Sequence, residues 1–177
     1  MISLSDKFES EIIFATPNNR RIDSLDVEIA FNNLFKNVYT SQIRRGPRWQ
    51  TKKDKRWLVY FRFINNKSEQ CGSMWHSIEE NTGDEVLIVD INFCYAKTRK
   101  QQLETLYHEI THVKQKVTDQ FVRWEKSGFP YEGDLRKNFY WNHPAESEAG
   151  KNEIMVKFHG RKKRFRRDGI LTSKIIL

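Results

Sequence analysis

Residues 103–117 read Leu-Glu-Thr-Leu-Tyr-His-Glu-Ile-Thr-His-Val-Lys-Gln-Lys-Val, and this stretch decides the reading of the chain. Leu103, Leu106, Ile110, Val113 and Val117 recur at steps of three and four, an apolar stripe with the period of an α-helix. His108 and His112 lie off that stripe, one turn apart on a shared face. Two imidazoles so placed can ligate one zinc ion, and Glu109 beside them can serve as general base toward a water on that ion. One side of the helix is therefore expected to pack on a core while the other carries chemistry. With five histidines in 177 residues, the bare His-Glu-x-x-His pattern is expected by chance only about 0.01 times.

Working outward, Thr98 and Gln101 form a T-x-x-Q capping box that starts the helix. Before it, Val86–Tyr95 is the clearest strand, and Trp57–Ile64 is a second run of β-formers. Gly72–His76 reads as a further short strand, and residues 10–15 as a short strand or a helix end. Asp23 or Ser24 can cap a helix running to about Tyr39, with Val27, Phe31, Leu34, Phe35 and Val38 at helical spacing. Downstream, Ser127-Gly128-Phe129-Pro130 marks a turn. Pro144 fits the first turn of another helix, from about Ala145 to Phe158. These elements predict an α+β fold, a mixed or antiparallel sheet packed on the histidine-bearing helix and on a second helix.

A catalytic zinc needs a third protein ligand. The candidates are Glu146, Glu148 and His143, all in Asn142–Ala149. Glu146 is favoured because Ala145 and Ala149 flank it, and small residues let two helices approach. Both glutamates also suit the first turn of a helix for electrostatic reasons alone.

His108-Glu109-Ile110-Thr111-His112, followed by Pro144-Ala145-Glu146-Ser147-Glu148-Ala149, resembles the zincin metallopeptidases with a glutamate third ligand, in particular small metallopeptidases encoded by bacteriophages. The resemblance spans residues 86–155 and implies Zn(2+) held by His108, His112 and Glu146, with peptide hydrolysis assisted by Glu109. It further implies a protein or peptide substrate and a host-cytoplasm location. Gly150 stands where many relatives carry aspartate, so another acid, Glu148 or Asp90, would have to orient an imidazole. Strand 86–93 is expected to bind extended peptide by edge pairing. Tyr131, Tyr140 and His143 are candidates to stabilise an oxyanion.

Composition sets the class. The 31% charged and 13% aromatic content suits one folded domain over residues 1–160. No apolar run approaches the roughly 18 residues of a membrane span, and the N-terminus lacks signal-peptide character, so an intracellular protein is expected. Cys71 and Cys94 do not suggest a disulfide framework. Net charge is +8, and Arg161, Lys162, Lys163, Arg164, Arg166 and Arg167 concentrate most of that surplus in a basic segment, 161–177. These six cations, with Phe165 among them, are candidates for nucleic-acid binding. The alternative to a peptidase is thus a nucleic-acid-binding or host-interaction protein that keeps a metal site without efficient proteolysis.

Overall fold

The computed structural model describes residues 8–14, 21–38, 57–64, 71–78, 84–92, 94–129, 142–159 and 175–176. The fold is α+β. Strands β1 (Phe8–Phe14), β2 (Trp57–Ile64), β3 (Gly72–Ile78), β4 (Glu85–Asn92) and β5 (Ile175–Ile176) form one mixed sheet in the order β3-β4-β2-β1-β5. β1, β2 and β4 run parallel, while β3 and β5 flank them antiparallel. Parallel neighbours need a crossover connection. Helix α1 (Ser24–Phe35) lies in the crossover from β1 to β2. Helix α2 (Arg99–Val117) follows β4, then come α3 (Gln120–Lys126) and α4 (Pro144–Glu153), the last tightening into a 3-10 turn at Ile154–Phe158.

The two-residue period of the strands and the helical period of α1 and α2 meet in one core. Trp57, Val59, Phe61 and Phe63 from β2 and Leu87, Val89 and Ile91 from β4 pack against Val27, Phe31, Leu34 and Phe35 of α1. The five stripe residues of α2 complete the cluster, all of them buried. Each such side chain contributes about 1.5–3 kcal/mol on burial. The α2 stripe thus turns His108 and His112 away from the sheet-facing side.

Capping fixes where the helices begin. Thr98 accepts from the Gln101 amide at 3.2 Å, and Gln101 Oε1 accepts from the Thr98 amide at 3.0 Å, as the spacing predicts. Asp23 and Asp26 form the equivalent box for α1. That helix stops at Phe35, short of the expected Tyr39, which lies outside the described residues. The expected single helix from Ala145 to Phe158 is also shorter, because its last five residues are 3-10.

A buried polar cluster ties α1 to α2 and to the end of α4. The Asp26 carboxylate accepts two bonds from Arg99, at 2.8 and 2.9 Å, and one from His159 Nε2 at 2.9 Å. Tyr107 Oη accepts from Asn33 Nδ2 at 2.8 Å and donates to His159 Nδ1 at 2.9 Å. Burial alone would raise the Asp26 pKa, but the His159 and Arg99 hydrogen bonds outweigh it and hold the carboxyl well below the usual range. The buried polar side chains of this cluster thus satisfy one another, as burial requires.

Candidate metal centre

α2 presents His108 and His112 with ring centroids 4.8 Å apart. Helix α4 crosses this face closely because Ala145 and Ala149 are fully buried against it. Its first turn delivers Glu146, whose Oε2 lies 3.2 Å from His108 Nε2 and whose Oε1 lies 3.4 Å from His112 Nε2. One atom from each of the three residues falls within 4.8 Å of the other two.

The imidazoles are aimed from behind. Glu153 Oε1 accepts from His108 Nδ1 at 2.8 Å, and Gln115 Oε1 accepts from His112 Nδ1 at 2.8 Å. Protons on both Nδ1 atoms leave both Nε2 lone pairs facing the Glu146 carboxylate. Like lone pairs converge stably only around a proton or a cation. Burial would lower the His108 pKa, but its bonds to Glu146 and Glu153 raise it to about 10. Burial would likewise raise the Glu146 pKa, and its bonds to His108 and His112 hold it well below the carboxylate range instead. Two nitrogens and one carboxylate are a donor set that could hold a metal ion.

Glu109 is buried beside these residues. Burial pushes its carboxyl up to about 7, against the opposing fields of His112 and His108. The start of β3 approaches it closely. A Cβ at Gly72 would stand 2.6 Å from Glu109 Oε1 and 2.7 Å from Thr105 Cγ2, so only glycine allows this contact. Cys71, next in the chain, feels the same surroundings. Burial and the charges of Glu109 and Glu153 push its thiol pKa up.

The structure separates the three candidates for the third position. Glu146 faces the two histidines. His143 is buried at the N-cap of α4, where Nδ1 accepts from the Ala145 amide and Nε2 donates to the Phe129 carbonyl, both at 3.1 Å. Both of its nitrogens are used in holding the helix start, and it points neither to a cleft nor to solvent. Glu148 pairs with Lys114 at 3.1 Å and accepts from Gln115 Nε2 at 3.1 Å. It thus reaches His112 through Gln115.

Two expectations need correction. The acid behind His108 is Glu153, whereas Asp90 is held by Arg62 at 2.7 and 2.8 Å. Glu153 lies two turns from Glu146 on the same helix face, and Gln115 three residues from His112; those spacings were the available signals. Strand β4 offers no edge to a peptide, being paired to β2 on one side and β3 on the other. Helix α3 was not foreseen, yet its Phe121 ring lies 6.4 Å from that of His112.

Arg161, Lys162, Lys163, Arg164, Arg166 and Arg167 lie outside the described residues, as do Tyr131 and Tyr140. Among the described residues no helix is long and apolar enough to cross a membrane. No family model, no curated protein and no solved structure matches this chain.

Proposed function

We propose that the chain is a zinc-dependent metallopeptidase of the zincin type. The observation that supports it most is the convergence of His108, His112 and Glu146 with buried Glu109 alongside. His108, His112 and Glu146 would hold Zn(2+), which when bound polarises a scissile carbonyl and acidifies a water. Glu153 and Gln115 keep the two imidazoles in the tautomer that offers Nε2 inward. Glu109 takes a proton from the attacking water and returns it to the leaving amine, for which a carboxyl poised near neutrality is suited. Next to a bound cation its ionised form is favoured.

The substrate is an extended peptide laid along β3. Among the described residues no strand pairs with the outer edge of β3, and its Gly72 end abuts Glu109. A peptide on that edge would run past the base with its backbone hydrogen-bonded.

The test is cleavage of casein by the zinc-loaded chain, together with Glu109→Gln. The variant is expected to retain zinc and its fold while losing turnover by on the order of 100-fold or more. Unchanged turnover would remove Glu109 from the reaction. A zinc-loaded wild-type chain that cleaves nothing would remove the peptidase reading while leaving the metal site.

A further inference from the structure

Helix α4 and its 3-10 extension grip α2 at both ends. At the first end, Gln115 Nε2 donates to the Ala145 carbonyl at 3.0 Å, and the N-cap His143 is fixed to Phe129 and Ala145. Glu146 is placed by that helix start. At the second end, Asn152 Nδ2 donates to Thr111 Oγ1 at 3.2 Å, Glu153 accepts from His108, and His159 meets Tyr107. Tyr107 and His108 are consecutive residues of α2. The 3-10 turn between Glu153 and His159 therefore closes as a staple on two adjacent side chains.

Glu153 depends on such a hold. Its side chain is partly exposed, and a long side chain loses rotamer freedom when it is held in one geometry. The turn that follows is thinly packed, with Ile154 and Phe158 exposed and Met155 and Val156 only partly buried against the core. His159 is different. It is buried, its Nε2 donates to Asp26 of α1 at 2.9 Å, and its Nδ1 accepts from Tyr107 Oη at 2.9 Å. Its ring also meets that of Tyr107 edge to face, with centroids 5.6 Å apart. We infer that His159 is a positioning residue for the metal centre. By anchoring the end of α4 to Asp26 and Tyr107, it keeps Glu153 behind His108 and so keeps His108 Nε2 turned inward. The inference rests on the metal reading of His108, His112 and Glu146, and not on peptide hydrolysis.

Competitive titration of the full chain with zinc tests this, alongside cobalt(II), whose visible absorption reports its coordination. His159→Phe keeps an aromatic ring and removes both nitrogens. Asp26 retains Arg99 and Tyr107 retains Asn33, so the variant is expected to fold. It should bind zinc about tenfold more weakly, as when support behind a ligating imidazole is lost, and its cobalt spectrum should change. His159→Gln, which offers both a donor and an acceptor, should lie closer to wild type. On a Glu153→Ala background His159→Phe should add little, because both act on one imidazole. Tyr107→Phe removes only the hydroxyl bonded to His159; it should weaken zinc in the same direction, and serves if His159→Phe does not fold. Val59→Ala, a core truncation on β2, should lower the melting temperature and leave zinc affinity and the cobalt spectrum unchanged. Wild-type metal binding in the His159 and Tyr107 variants would overturn the inference while leaving the metal site. So would losses that add fully to that of Glu153→Ala, a His159→Gln variant as impaired as His159→Phe, or an equal loss in Val59→Ala. A wild-type chain that binds neither metal would overturn the metal reading, and the inference with it.

Discussion

Gly72→Ala adds one methyl group at the tightest point of the candidate site. The new Cβ would meet Glu109 Oε1 at 2.6 Å, Thr105 Cγ2 at 2.7 Å and Glu109 Cγ at 2.9 Å. Ordinary contact begins near 3.4 Å, so the Glu109 carboxyl must retreat by about 0.8 Å or the strand must lift. Neither is easy. Glu109 is only 5% exposed, and Thr105 is β-branched with a stiff χ1. β3 is bonded along its length to β4. Overpacking of this kind costs about 1–3 kcal/mol. For a chain of this size that lowers the melting temperature by roughly 2–12 °C. The three nearest atoms the methyl meets belong to Glu109 and Thr105 rather than to His108, His112 or Glu146, so zinc affinity is expected to stay near wild type. Displacement of the base by this distance is expected to lower peptide turnover by on the order of 100-fold. Thermal denaturation, zinc titration and casein cleavage on one preparation read the three effects separately. A variant that melts and turns over like the wild-type chain would show that Gly72 does not set the approach of β3 to Glu109. A variant that loses zinc would show that the ligands and the base are not separable at this contact.

Glu146→Ala is expected to weaken zinc affinity by about tenfold or more, with His143→Ala and Glu148→Ala closer to wild type. The largest loss with His143→Ala in a competitive zinc titration would contradict the glutamate-ligand arrangement. Glu153→Ala removes the acceptor behind His108 and is expected to cost about ten- to 100-fold in zinc affinity. The Glu153 side chain is 40% exposed, so unfolding curves should barely move, and unchanged affinity would deny it a role in aiming the imidazole. Asp26 has a folded-state pKa below its unfolded value of about 3.9. Its contribution is therefore complete above that pH and is lost as pH falls below it. Urea unfolding at several pH values should show a steep acid limb that Asp26→Asn flattens. An unaltered limb would place the acid sensitivity elsewhere.

What pattern reading finds here is what builds the core. The stripe of α2, the β2 run and the capping box at Thr98 are all local periodicities, and the structure places them as the sequence predicts. Helix α3 escaped for a physical reason. Its seven residues are two turns with none fully buried, so they carry no apolar stripe. It is set off from α2 by Asp119 in the left-handed region at φ 58°, a conformation no short motif announces. The order of the strands was equally invisible, because the side-chain period of a strand is the same whether its neighbours are parallel or antiparallel. That gap carried over into the site. Asp90 looked free to support a histidine only while its neighbour in the sheet was unknown. Register places Arg62 opposite it on β2, and the guanidinium takes both of its carboxylate oxygens. The acid that remains to aim His108 must then come from α4, and Glu153 is the one the helical period puts in reach of the ring, two turns beyond Glu146. The sheet pairing thus decides which acid backs His108, although neither Arg62 nor Asp90 belongs to the candidate site.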